Sequence, residues 1–407
     1  MGFQQGLSGL NAAAKNLDVI GNNISNAGAV GFKGAATHFA DVFASSASAG
    51  GINVGTGVSV SAVDQTFSQG NITTTNNPLD IAINGKGFFR LSNESGLVTY
   101  GRNGQFQLDK NGYIVNDTGA KLTGYLAGAG GTLITAAPVD LQISTAEIAP
   151  QTTSTVTALL NLDSRSSTLT SSAFDLTDPT TYTSATSVAV FDSLGNSHPM
   201  SVYFVKTGGG TWDVYGALDG TQIGTTALGT VGFTGAGAID TTATTLPFSV
   251  SAAVTSGATT PLAYTLDFTG TTQFGSDFGV SQVTQDGFTS GRLAGYTISS
   301  DGIIQGRYSN GQTKTLAQVA LADFTNPQGL QPQANSVWTE TAQSGTALVG
   351  TPNSGNLGAL QSGAVEESNV DLTAELVNLI AAQRAYQANA QTIKTQDTVL
   401  QTVVNLG

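Results

Sequence analysis

A chain that opens and closes on the same helical spacing has to find cover for two apolar stripes. Phe3, Leu7, Leu10, Ala14, Leu17, Gly21 and Ile24 follow a 4-3-4-3 interval at one end. Leu372, Leu376, Leu379, Gln383, Tyr386, Ala390, Ile393, Asp397, Leu400 and Val404 repeat it at the other. Such an interval draws one apolar stripe along each helix. More than 300 residues of Gly-, Ser- and Thr-rich, β-like sequence separate the two. Neither stripe is wide enough for a helix buried on all sides, so each needs a partner: the opposite terminus, a neighbouring chain, or the globular core between the two ends. The candidate assembly surface is therefore Phe3, Leu7, Leu10, Leu17, Ile20 and Ile24 with Leu372, Leu376, Leu379, Tyr386, Ile393, Leu400 and Val404.

The chemistry available to the chain is narrow. Cysteine is absent, which removes disulfides, thiolate catalysis and Cys-bound zinc together. Only His38 and His198 could offer imidazole, and His198, beside Pro199 at a strand entry, reads as a surface turn residue. A hydrolase would need two carboxylates at a set separation. The twenty-one Asp and six Glu sit instead mostly in turns such as Asp109-Lys110-Asn111-Gly112, where Asp caps local backbone. Neither a nucleophile elbow nor a phosphate-binding Gly loop is present. No enzyme, cofactor or metal is called for.

Charge and hydropathy exclude further partners. Of the net charge of −13, the segment 147–286 carries −9, with eleven acids against Arg165 and Lys206. No basic stripe is available for nucleic acid. The acidic middle reads as a solvated outer face that keeps a self-associating chain soluble. No run approaches the ~18 apolar residues needed to insert in a membrane. The first thirty residues hold one base, Lys15, and one acid, Asp18, so a cleavable secretory signal is not expected.

All ten prolines fall between Pro78 and Pro352, leaving both ends free to be helical. Residues 34–77 are Ala/Ser/Gly-rich and read as an extended arm with a little β structure. From Leu79 the chain turns to β, and seven Asn-Gly or Asp-Gly pairs, at 84, 103, 111, 219, 286, 301 and 310, signal hairpins. Gly101-Arg102, Phe106, Leu108, Asn111-Gly112 and Ile114 recur at an offset of 190 as Gly291-Arg292, Tyr296, Ile298, Asp301-Gly302 and Ile304. Two similar hairpins thus bracket the middle. In that middle, Val188–Asn196, Met200–Val205 and Thr211–Tyr215 predict a hairpin and a third strand, with Trp212 as core anchor.

The expected fold is mainly β with terminal α-helices. A coiled-coil-like helical domain comes from both termini (1–30 and 368–407), followed by an extended linker arm (31–73 and 361–367). Two antiparallel β domains complete it: an inner one (74–146 and 289–360) and an outer one inserted in it (147–288).

Just inside the first stripe, Asn22-Asn23-Ile24-Ser25-Asn26-Ala27-Gly28-Ala29-Val30-Gly31-Phe32-Lys33 stops a helix with Asn and Gly residues rather than proline. This run resembles the N-terminal signature of the bacterial flagellar rod and hook axial proteins, carried by Asn22, Asn23, Asn26, Gly31, Phe32 and Lys33. Glu367–Leu372 through Gln383–Asn389 resembles the other end of the same family. Val188–Asn196 and Gln282–Gly291 resemble its hook members in particular, while 220–265 matches nothing specific.

The resemblance implies a structural subunit that self-assembles into a curved helical tube and transmits motor torque from rod to filament as a flexible joint. Its implied partners are further copies of itself, rod, hook-cap and hook-filament junction proteins, and the flagellar export apparatus. It implies export without a cleaved signal to an extracellular place in the flagellum. Two other readings stay open: another axial component such as a distal rod protein, and a secreted β-rich adhesin or carbohydrate-active protein. Gln383 and Asp397 can either select register within the stripe or face water where it drifts.

Overall fold

The computed structural model describes residues 2–42, 55, 57–128, 130–169 and 174–406. Among the described residues the fold is mainly β with two α-helices, α1 (Gly2–Ser25) and α2 (Leu372–Leu406), and several sheets. The chain divides into two compact units: residues 1–145, 295–307 and 313–407, and residues 146–294 with 308–312.

In the first unit, α2 starts where Asp371 accepts the amides of Thr373 and Ala374, filling the N-cap position. At the far end of α1 the Asn22 carbonyl takes the amide and side-chain Nδ2 of Asn26 together with the Ser25 hydroxyl. Gly31, at φ 69°, then reverses the chain. The turning residue is this glycine, not one of the asparagines.

The segment expected as a linker arm is built into structure wherever it is described. Two strands, Ala35–Val42 and Gly57–Gln65, form an antiparallel hairpin packed on α1. Ile72–Thr74 pairs with Ala364–Glu366, and Ile81–Asn84 with Ala359–Ser362. Of the glycines in this arm, Gly50 and Gly51 lie outside the described residues. Gly55 accepts a hydrogen bond from Gln5, and Gly57 is packed against Ser8.

The β body of this unit is a long sheet whose middle runs from Thr313–Val319 through Lys121–Leu126, Phe88–Ser92 and Val98–Gly101 to Val337–Thr339. Phe88, Tyr100, Phe324 and Trp338 form its aromatic core. Phe67, from the arm, stands edge-on to Phe88 and Trp338 at 5.5 Å from each. The arm therefore contributes a ring to the core it was expected only to connect.

The sequence echo at an offset of 190 is also a structural one. Asp109 N donates to Tyr113 O and Gly112 N to Asp109 O; Ser299 N donates to Ile303 O and Gly302 N to Ser299 O. Equivalent residues close equivalent turns.

The second unit places two five-stranded sheets around one core. One is built on Ser184–Phe191, Ser197–Lys206 and Thr211–Leu218, consecutive and antiparallel. The other is built on Thr155–Asp163, Leu262–Asp267 and Gly279–Gln285. Trp212 is fully buried, and its indole N–H reaches Gln273 Oε1 at 3.0 Å. The segment 220–265 supplies Gly229–Gly232 to the first sheet and Phe248–Ala252 to the second.

His198 corrects its expectation as a surface turn residue. It lies on the inward alternation of its strand with Met200, Val202 and Phe204, and is 7% exposed. Nδ1 stands 2.6 Å from Asp219 and Nε2 3.2 Å from Asp192.

Candidate functional site

The two terminal helices pack antiparallel along small residues. A Cβ on Gly2 would meet Gln396, one on Gly6 would stand 2.9 Å from Ile393 Cγ1, and one on Gly9 would stand 2.7 Å from Asn389 Oδ1. Ala13, Ile20 and Asn23 continue this face of α1 and are buried. Opposite them on α2, Ala382 is buried and Glu375 accepts from Asn23 Nδ2 at 3.1 Å. The seam thus follows 2, 6, 9, 13, 20 and 23, one residue behind the apolar stripe. At 3.6 residues per turn, that offset rotates the stripe by roughly 100° away from the seam.

Consequently most of the apolar stripe stays uncovered within one chain. Phe3 is 46% exposed and Leu7 is similar, while Leu10, Leu17 and Ile24 are half-buried. On α2, Leu372, Leu376, Tyr386, Leu400 and Val404 are exposed, and Leu379 is half-buried. Ile20 and Ile393 depart from this set. Ile20 is 5% exposed, and Ile393 faces Gly6, so both are used inside the chain's own helix pair. Gln383 and Asp397 are exposed. Val377, Ile380 and Val399 widen the apolar surface of α2; the 4-3 template passes over them because they lie beside its line.

The family-motif residues divide between capping and anchoring. Asn22 and Asn26 close the end of α1, as described. Asn23 Nδ2 donates to the Ala35 carbonyl at 2.8 Å, and its Oδ1 accepts the Ala35 amide at 2.9 Å, so one side chain joins α1, α2 and the hairpin. Gly31 donates its amide to the Glu366 carbonyl and lies against Arg102 and Asn103, where a Cβ would clash with backbone. Phe32 accepts the Asn369 amide through its carbonyl. Lys33 is fully buried, with Nζ 2.6 Å from Glu366 Oε1 and 2.7 Å from Ser68 O.

Glu366 and Arg102 complete this anchor; in the sequence Arg102 stood out only within the repeated hairpin and Glu366 not at all. Arg102 NH1 reaches Glu366 Oε2 at 3.0 Å, and Gly70 N donates to Oε1 at 2.9 Å. Burial pushes the Lys33 ammonium below its ordinary pKa against the opposing pull of Glu366, and it lowers Arg102 in the same way. The available signal was that Glu366 is one of only six glutamates and stands just before the C-terminal motif.

Comparison with known families matches residues 3–33 to the Flagella basal body rod protein and 82–158 to the Flagellar hook protein FlgE/F/G D1 domain. It matches 161–288 to the Flagellar basal body protein FlaE D2 domain and 361–406 to the Flagellar basal body rod FlgEFG protein C-terminal. The Flagellar hook protein FlgE of Escherichia coli is 44% identical, with 100% of both chains covered. That of Salmonella typhimurium is 43% identical over 100% of both, and that of Treponema pallidum 34% over 98% of both. The crystal structure of Helicobacter pylori flagellar hook protein FlgE2 aligns with a TM-score of 0.54 at 14% identity, covering 71% of this chain and 99% of that one. That likeness is one of fold.

Proposed function

The chain belongs to the flagellar hook protein family, the structural subunits of the hook, and we propose that its copies join into a curved tube through the uncovered stripes of α1 and α2. One observation carries the reading: α1 spends its small-residue face on α2 within the chain, and both helices leave most of their apolar stripe open. Identical copies joined by a heterologous contact that does not close form a helical assembly. In such an assembly the helices line the inside and form a coiled-coil-like domain. The nested arrangement of an inner domain (74–146 and 289–360) carrying an inserted outer one (147–288) is part of the same proposal, and the breaks at 145/146 and 294/295 support it.

The mechanism is mechanical: a curved, rotating tube lengthens and shortens its subunit contacts every turn while each chain keeps its fold. Rod, cap and junction proteins meet the ends of the tube, and the export apparatus passes the chain outward without cleavage. Alone, the ends of the two helices that lie away from the β body lack their full cover and stay largely unfolded until incorporated.

Substituting Leu376, Ile380 and Leu400 together by Ser tests the reading. Because these side chains are exposed in the single chain, thermal melting of the two β units is expected to stay within ~0.5 kcal/mol of the parent. Polymer seen by electron microscopy, and hooks in cells lacking their own subunit, are expected to disappear. Normal hooks from this variant would overturn the proposed interface.

A further inference from the structure

Four passes of the chain meet at the Glu366 carboxylate. Lys33 arrives from the turn after α1, and Gly70 from the chain returning out of the hairpin. Arg102 belongs to the β body, where its NH2 also donates to the Gly85 carbonyl at 2.9 Å and its guanidinium lies 5.4 Å from the centre of the Phe88 ring. Glu366 itself stands five residues before the N-cap of α2. Asn369 reinforces the same point, accepting the Gly34 amide at 2.8 Å and donating to the Thr66 and Ser68 carbonyls.

Stability alone is a poor reason for such a cluster. Removing two cations and a carboxylate from water costs about as much as their attraction returns, and well-packed apolar replacements are often neutral or better. What the ions supply is direction. Each carboxylate oxygen has separate donors on separate chain passes, and sliding any pass would leave a buried charge unmatched.

We propose that Glu366 is a clasp that fixes a single placement of the root of the helix pair on the β body. The root, from Gly31 to Gly34 and from Glu366 to Asn369, is then a rigid joint rather than a linker. In a hook, torque from the helices would enter the β body there. The clasp is a property of one chain, so its test is independent of whether that chain builds a hook.

The absence of cysteine allows clean spin labelling of the full-length chain. Labels go on Gly28→Cys, in the turn after α1, and Glu94→Cys, in the β body after Phe88–Ser92, both exposed. The parent is expected to give one narrow distance distribution, and Glu366→Gln one at least about twice as wide. The variant Lys33→Met/Arg102→Met/Glu366→Leu is expected to melt close to the parent yet keep the wide distribution, separating placement from stability. A distribution as narrow as the parent's in either variant would overturn the clasp. Should the triple variant fail to fold, amide exchange over residues 66–70 in Glu366→Gln decides. Acceleration of roughly tenfold or more supports the clasp, and an unchanged rate overturns it.

Discussion

At the scale of residues, the polar groups that organise this chain are few and mostly buried. Asp192 shapes the turn at 192–196 by accepting the amides of Leu194 and Asn196 and the hydroxyl of Ser256. Burial alone would raise its pKa, but these bonds and His198 hold it well below the ordinary carboxylate range. His198 shows the complementary balance. Burial pushes its pKa down, and hydrogen bonds to Asp219 and Asp192 push it up further, leaving it above its ordinary 6.5. A base whose folded pKa is raised contributes its full stabilisation below 6.5 and loses it as pH rises through the folded value. NMR titration of the two histidines is expected to show His198 with a midpoint above 6.5 that falls in Asp219→Asn. An unchanged midpoint in that variant would remove Asp219 as a cause. Sequence alone could not reveal this pairing, because Asp192, His198 and Asp219 meet only once three strands are in register.

At the scale of elements, helix location was legible and helix orientation was not. Pro-free ends, 4-3 spacing and the Asn/Gly stop after α1 are local signals, and each helix lies near its predicted place. Which face meets the other helix depends on how closely two backbones can approach, and glycine permits the closest approach. Apolar periodicity cannot report that, since Gly2, Gly6 and Gly9 add nothing to a stripe. Gly6→Leu is accordingly expected to separate α1 from α2 and cut polymer yield more than tenfold. Gly21→Ala meets nothing within 4 Å and is expected to leave yield within about twofold. Sedimentation of assembled polymer checks both variants, and equal losses would show that the seam is not where glycine places it.

At the scale of the whole molecule, two separately cored units imply separable unfolding. Trp212 is fully buried in the second unit, beside Val214, Phe204 and Val231 in a single core. Trp212→Ala is expected to destabilise that unit by about 3–5 kcal/mol and leave the aromatic core around Trp338 intact. Scanning calorimetry should then show one transition moved down and one unmoved. A joint shift of both would mean the units unfold together. The acidic surplus of 147–286 belongs to this second unit, in keeping with a solvated exterior.

The sequence by itself determined helices at both ends, a β-rich interior with its turns, and the family, because these rest on spacing and dipeptides within a few residues of one another. The tertiary structure alone decided which helix face stays open and how 220–265 contributes strands to two sheets. It also decided that a supposed linker closes around Glu366. Each of these depends on groups distant in the chain competing for the same buried place, and their outcome is settled by backbone approach and by the cost of leaving a buried charge unpaired.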